Sequence, residues 1–346
     1  MALIPSTILT GFLGAGKTTL LNRILQEDHG FRIAVIENEF GQENIDSQIL
    51  VQDSAEQIVE MTNGCICCTV RGDLVDALVS LAQKRDAGEL VFDRIVIETT
   101  GLADPGPVAQ TFFMDDAVAK HFMIDAVITV VDAVHGMAQL DHNEEARRQV
   151  GFADRLLLSK TDLADTESLS LLTARLTRMN PRAPILKVDF GRVPIAEVLD
   201  VHGFNLNEKL DIDPNFIADQ DGTHKHDHSC AAGCNHDHST HFHNSRHTED
   251  IAAFTFNSER AFDSARLEEF LSAMIDVYGA QMLRYKGVLH IEGSDRKIVF
   301  QGVHQLLGSD VGSPWQEGER RSSKMVFIGK NLPRDTFILG LEQCLV

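Results

Sequence analysis

The sequence predicts a doubly wound, mostly parallel α/β sheet followed by a smaller α+β domain. Three observations lead there. Short runs rich in Val, Ile and Leu alternate with helix-like stretches through residues 1–205. A glycine-rich turn joins the first such run to the first helical stretch. After an aperiodic, histidine-rich stretch, strand and helix patterns resume at Ile251. Continuous apolar runs suit parallel strands covered on both faces, and strand–helix alternation builds βαβ units. The expected organisation is a first domain over 1–205, a flexible linker or loop over 206–250, and a second domain over 251–346. A chain of 346 residues fits about two domains at ~150 residues each.

In chain order, the strands expected in the first domain are Ser6–Thr10, Arg32–Glu37, Arg94–Glu98, Ala126–Val131, Arg155–Ser159 and Ile185–Val188. Helical patterns fall between them at Lys17–Gln26, Leu74–Lys84 and Ser168–Met179. In the second domain Ala252–Phe256 reads as a strand and Ser264–Tyr278 as an amphipathic helix. Val288–Glu292 and Lys297–Gln301 read as a strand pair across the turn Gly293-Ser294-Asp295. Lys324–Ile328 is a further strand and Asp335–Cys344 a closing helix.

Composition narrows the function classes. Apolar residues make up 43% of the chain, enough for a core, and nothing suggests global disorder. There are 51 acidic residues against 31 basic ones, a formal charge of −20. Nucleic-acid and anionic-membrane surfaces need cationic patches, so neither partner is expected. The start is apolar but has no basic residue before Lys17, and no apolar run is long enough to span a bilayer. The cytoplasm is therefore the expected compartment. Of six cysteines, three fall within four positions, which reads as a metal or redox cluster rather than a disulfide framework.

The first motif is Gly11-Phe12-Leu13-Gly14-Ala15-Gly16-Lys17-Thr18, which fits G-x-x-x-x-G-K-[ST] between a strand and a helix. Its glycines let backbone N–H groups curl round phosphates, and the helix N-terminus adds a favourable dipole. Lys17 would reach the β- and γ-phosphates, and Thr18 would hold Mg²⁺. Glu98, at the end of VFDRIVIETT, is the candidate acidic partner of that ion, and Gly101 a candidate γ-phosphate contact. Ser159-Lys160-Thr161-Asp162 follows another strand and matches the guanine signature [NST]-K-x-D. The Asp162 carboxylate would accept from guanine N1–H and the 2-amino group, and would meet an acceptor in adenine. The Lys160 stem can lie over the base. The expected nucleotide is GTP or GDP, on a P-loop GTPase sheet.

Cys65, Cys67 and Cys68 form a C-x-C-C cluster. Such thiolates can converge on a borderline ion, and Zn²⁺ accepts tetrahedral sulfur. Two or three of these sulfurs can share one metal, so a further ligand is needed. Glu37 is the first candidate, with Glu39, Glu43 and Asp46 behind it. A strained disulfide and buried structural thiols are the alternatives. The cluster lies between the phosphate loop and Glu98, where GTPases keep the segments that sense γ-phosphate. Two sites that bias one two-state element must affect each other reciprocally.

Eight of the 15 histidines fall between His224 and His247. His224, His226, His228, Cys230, Cys234, His236, His238, His241 and His243 offer capture of Zn²⁺, Co²⁺ or Ni²⁺ with low geometric selectivity. Asp104 is read either as orienting water or Mg²⁺ or as a turn cap before Pro105. Asp132 is read as a strand terminator. No glutamine stands at an obvious water-orienting position, so hydrolysis is expected to be slow.

With these motifs in hand, the chain resembles the CobW-type metal-handling GTPases, and within them the YjiA-like branch. These are relatives of the nickel-insertion GTPases of hydrogenase and urease maturation. The resemblance is carried by TGFLGAGKTTLLN (10–22), IENEFG (36–41), NGCICC (63–68), ETTGLADP (98–105) and SKTD (159–162). LRYKG (283–287), FQGVHQ (300–305) and KMVFIG (324–329) extend it to the C-terminal domain. It implies a slow, metal-responsive GTPase that delivers zinc to client metalloproteins, as a monomer or a metal-dependent oligomer. By position it implies zinc at Cys65, Cys67 and Cys68 with Glu37, phosphate and Mg²⁺ contacts from Gly11 to Thr19, and guanine contacts from Ser159 to Asp162. It also implies that residues 68–71 border the nucleotide. Gln42 and Asp115 depart from the family pattern, which does not carry accessory surface sites over. The alternatives are delivery of cobalt or another metal for cofactor or metalloenzyme maturation, and a passive His-rich metal buffer.

Overall fold

The computed structural model describes residues 3–37, 47–51, 57–61, 70–203, 250–316 and 318–346. Its first layer is an eight-stranded sheet. The strands are β1 (Ile4–Gly11), β2 (Ile33–Glu37), β3 (Ser47–Val51), β4 (Gln57–Met61), β5 (Arg94–Glu98), β6 (Phe122–Asp132), β7 (Arg155–Ser159) and β8 (Ile185–Val188). Their order is β4-β3-β2-β5-β1-β6-β7-β8. Strands β2, β5, β1, β6, β7 and β8 run parallel, and the β3–β4 pair is antiparallel to β2 and to each other.

The helices are α1 (Lys17–Gln26), α2 (Val70–Asp86), α3 (Pro105–Met114), α4 (Asp116–Ala119), α5 (Gly136–His142), α6 (Glu144–Phe152) and α7 (Thr166–Met179). Three of them start at an aspartate cap. Asp104 accepts the Gly106 N–H with Pro105 at the first helical position of α3, and Asp165 accepts the Ser168 N–H at α7. Asp115, one of the two departures from the family pattern, caps α4 by accepting the Ala117 and Val118 N–H groups. Helix α1 has no side-chain cap; its N-terminus opens from left-handed Gly16, which leaves its N–H groups facing the phosphate loop.

The second layer is a five-stranded antiparallel sheet of β9 (Ile251–Ser258), β10 (Met282–Leu289), β11 (Arg296–Val303), β12 (Leu306–Pro314) and β13 (Ser323–Lys330). Its order is β12-β11-β10-β13-β9. Two helices accompany it, α8 (Ser264–Tyr278) and α9 (Arg334–Gln343). Its central strands β10 and β13 are buried on both faces, and the period-2 alternation sorts the side chains. Phe254, Phe256, Met325 and Phe327 turn towards α8 and α9, where Phe337 is the centre of an aromatic cluster. Ile251, Leu283, Val326 and Ile328 turn the other way and join one core with Val150 and Phe152 of α6. The two sheets are thus sewn together through α6.

Strand β10 begins earlier than its apolar pattern suggests, because Arg284 interrupts the run. Arg284 is buried; it pairs with Asp154 at 2.7 Å and donates to the Phe152 carbonyl at 2.9 Å. A buried charge is tolerated only with partners of this kind, and the Phe152 carbonyl lies 132 positions away in the chain.

Candidate functional site

The C-terminal ends of β1, β5, β6 and β7 converge on the N-terminus of α1, the crevice where open parallel sheets bind ligands. Gly11, Gly14 and Gly16 have φ of 143°, 72° and 101°. A side chain at Gly11 would also stand 2.3 Å from the Val130 carbonyl oxygen, so the tight exit from β1 requires glycine. Ala15 is buried, and Thr18 and Thr19 are exposed at the start of the helix. The buried Lys17 ammonium donates to the Gly11 carbonyl at 2.9 Å and to the Phe12 carbonyl at 3.4 Å. Burial pushes its pKa below the usual lysine value, and the nearby Glu98 charge pulls it back up.

Thr18 Oγ1 donates to Glu98 Oε1 at 3.0 Å. A hydroxyl and a carboxylate at this separation are the hard oxygen donors that Mg²⁺ takes, so the two residues fit the ion that the fold implies. Beside them, Glu37 at the end of β2 is in register with Glu98 at the end of β5. In a parallel pair, partners in register point to the same face, with strands about 4.8 Å apart. The candidate zinc carboxylate and the candidate magnesium carboxylate are therefore next-door neighbours.

Ser159 Oγ donates to the Ala15 carbonyl at 2.6 Å and ties the guanine motif to the phosphate loop. Lys160 has φ of 57°; its ammonium donates to the Gly14 carbonyl at 2.8 Å and to Asp132 Oδ2 at 2.6 Å. The Lys160 stem therefore lies across the phosphate loop on its way to Asp132. Asp132 is 2% exposed and also accepts the Val134 and His135 N–H groups and the His135 ring. Burial alone would raise its pKa, but the hydrogen bonds from Lys160 and His135 outweigh that and hold it below the usual carboxylate range. More than a strand terminator, Asp132 is the anchor of Lys160. Asp162 is exposed, and among the described residues nothing pairs with its carboxylate. Thr161 is fixed by Asp189, which accepts its N–H at 2.8 Å and its hydroxyl at 2.8 Å. Asp189 lies beyond β8 and carried no local signal in the sequence.

Gly101 presses on the phosphate loop: a Cβ there would stand 2.6 Å from the Leu13 backbone nitrogen. The segment that follows is held from α6. Gln149 Nε2 donates to the Gly101 carbonyl at 3.1 Å and the Ala103 carbonyl at 3.0 Å, and Arg148 pairs with Asp104 at 2.6 Å. Of the two sequence readings of Asp104, the helix cap is the geometry observed.

Cys65, Cys67 and Cys68, the weaker candidates Glu39, Glu43 and Asp46, Gln42, and the whole histidine-rich run from His224 to His243 lie outside the described residues. Among the described residues, one group offers three ligand atoms within 4.8 Å of one another: Asp125, Asp200 and His202. It sits at the opposite end of the parallel strands from the crevice, near the start of β6. Asp125 accepts N–H groups from Asp200, Val201 and His202 and the Thr7 hydroxyl, and Arg94 pairs with both carboxylates. With its acceptors engaged and a guanidinium alongside, this group fastens the chain after β8 to the sheet. No helix among the described residues is long and apolar enough to cross a membrane.

Comparison with known proteins agrees with this geometry. A family model described as CobW/HypB/UreG, nucleotide-binding domain, matches residues 5–187, and one described as cobalamin synthesis protein CobW C-terminal domain matches residues 251–345. The chain is 41% identical over 335 residues to the zinc chaperone YjiA of Escherichia coli (strain K12), covering 96% of each chain. It is 33% identical over 363 residues to the zinc chaperone CobW of Pseudomonas aeruginosa, covering 96% of this chain and 89% of that one. The crystal structure of Zn(II)-bound YjiA GTPase from E. coli superposes with a TM-score of 0.77 at 34% identity, covering all of both chains. A Zn(II)-bound triple mutant of the same GTPase gives 0.78. The phosphate loop, the guanine motif beside it and the two-sheet body thus have one common explanation: the chain belongs to the CobW/YjiA-type family of metal-binding P-loop GTPases.

Proposed function

We propose that this chain hydrolyses GTP to gate the transfer of zinc to client metalloproteins. In this scheme Lys17 and the N–H groups of residues 11–19 take the phosphates, Thr18 and Glu98 hold Mg²⁺, Gly101 meets the γ-phosphate, and Ser159, Lys160 and Asp162 take the guanine. Zinc is cargo; it is held by Cys65, Cys67 and Cys68 with Glu37, and the run from His224 to His243 supplies loosely held ions to that site. Magnesium, when bound, neutralises the charge developing on the transferred phosphoryl group. Lys17 stabilises the same oxygens, and Asp162 selects guanine over adenine.

The observation that carries this proposal is the register of Glu37 with Glu98. A cargo ion on Glu37 would stand one strand spacing from the carboxylate that faces magnesium, so loss of the γ-phosphate changes the field and geometry at the cargo site. The names of the relatives, both zinc chaperones, favour zinc over cobalt.

Zinc titration of the full chain loaded with GDP, or with a non-hydrolysable GTP analogue, tests it. The two states should differ in zinc affinity, and replacing Cys65, Cys67 and Cys68 together by Ala should abolish the difference. Equal affinities in the two states would leave only a passive buffer. Tighter, nucleotide-dependent cobalt binding in competition with zinc would point instead to cobalt delivery.

A further inference from the structure

Helix α6 touches three things at once. On one side Gln149, 1% exposed, spends its side-chain amide on the carbonyls of Gly101 and Ala103, while Thr129 of β6 accepts nothing from it and instead donates to its backbone carbonyl at 2.8 Å. Next to it Arg148 grips Asp104 at 2.6 Å and Glu144 at 2.8 Å. On the other side the helix is pressed against the C-terminal sheet. A Cβ at Gly151 would stand 2.6 Å from Leu283 Cδ1 and 3.3 Å from Ile251 Cγ2. Ion pairs continue the contact: Lys330 of β13 meets Glu144 at 2.7 Å, and Arg147 meets Asp250 at 2.6 Å. A second point of pressure lies on α3, where His304 stands 2.5 Å from the position a Gly106 Cβ would take. The segment 101–104 is therefore gripped by a helix that is itself seated on the second sheet.

We propose that Gln149 and Arg148 are positioning residues that hold residues 101–104 for γ-phosphate recognition, and that the C-terminal sheet sets that hold through α6. The proposal rests on Gly101 being the γ-phosphate contact. Holding the Gly101 and Ala103 carbonyls fixes the glycine against the phosphate loop before nucleotide arrives, so the ordering cost of binding GTP is already met. GDP, which lacks the γ-phosphate, gains nothing from that preorganisation. A seated C-terminal sheet thus raises affinity for GTP selectively, and by reciprocity GTP binding seats the sheet.

The test is the affinity of the full chain, with Mg²⁺, for GDP and for a non-hydrolysable GTP analogue. Gln149→Met keeps the length and loses both donors. It should weaken the analogue about tenfold, as expected for buried carbonyls left without partners, and leave GDP within about twofold. Arg148→Met, at a third-exposed position, reads the same segment without risk to the core. Lys330→Met, remote from the nucleotide, should weaken the analogue by about two- to fivefold and leave GDP unchanged. Folded variants that weaken both nucleotides equally, or neither, overturn the proposal. Gly101→Ala separates the two levels. If it leaves the analogue-to-GDP ratio at the wild-type value, the γ-phosphate role of Gly101 fails. If it shifts that ratio and the α6 variants do not, the positioning role alone fails.

Discussion

Replacing Asp132 by Asn tests whether one buried carboxylate organises the nucleotide crevice. The amide is isosteric, and its oxygen can still accept the Val134 and His135 N–H groups that Asp132 Oδ1 accepts at 2.8 and 3.1 Å. What is lost is the charge on Oδ2, which meets Lys160 at 2.6 Å and the His135 ring at 3.0 Å. Breaking a fully buried pair costs about 3–5 kcal/mol, and an exposed one about 0–1. Asp132 is 2% exposed but the Lys160 side chain 36%, so the loss belongs between these limits, about 1–2 kcal/mol. That corresponds to a fall in Tm of about 2–8 °C. Because Lys160 also bonds the Gly14 carbonyl, its release loosens the SKTD motif and the phosphate loop together. GDP and GTP should weaken alike, by about tenfold. The sign with pH follows from the lowered pKa of Asp132. Its contribution is complete above the unfolded carboxyl value of about 3.9 and is lost as pH falls through the lower folded value, so the variant and the wild type should converge in acid. Urea melts at pH 7 and isothermal titration with GDP decide the matter. An unchanged midpoint together with unchanged GDP affinity would refute the anchoring role.

Two further outcomes follow from the same geometry. Asp162→Asn replaces one acceptor by a donor, so it should lower GTP affinity by at least tenfold and raise affinity for xanthosine triphosphate, whose C2 oxygen now meets an N–H; competition binding measures both. Burial holds His304 below the ordinary imidazole pKa, against the pull of Asp104 and the Gly279 and Ala280 carbonyls and with the opposing charge of Arg148. The folded chain then resists taking up a proton that the unfolded chain accepts below about pH 6.5, and stability should fall with acidification by up to about 1.4 kcal/mol per pH unit. His304→Gln should flatten that slope in urea melts between pH 5 and 7.5.

How much of this was legible beforehand depends on how local the cause is. The strands Arg94–Glu98, Arg155–Ser159 and Ile185–Val188 and the helix Lys17–Gln26 coincide with their sequence patterns, because continuous apolar runs and a glycine-rich helix start are local signals. Strands β3, β4 and β12 are not among those expected from the sequence. Ser309, Asp310 and Ser313 break the apolar run of β12, which is an edge strand held by backbone pairing to β11. The phosphate and guanine motifs were readable because each is contiguous. Asp189, Gln149 and Arg148 were not: Asp189 reaches Thr161 across 28 positions, and Gln149 reaches Gly101 across 48.

That contrast has a physical source. Backbone groups at the nucleotide must be shaped by neighbours in sequence, since glycine dihedrals and a helix N-terminus act over one or two residues. Holding those groups still is a tertiary task, and any buried donor of suitable reach can perform it. Gln149 has no motif because only its amide and its place on α6 matter; its 1% exposure is what distinguishes it from an ordinary helical glutamine. The same logic explains Arg284, whose charge interrupts a strand pattern and is compensated by Asp154 in the turn between α6 and β7. Arg284 spoils a local pattern because its partner Asp154 lies across the boundary between the two sheets, and helix α6, which grips segment 101–104, packs on the C-terminal sheet at that same boundary.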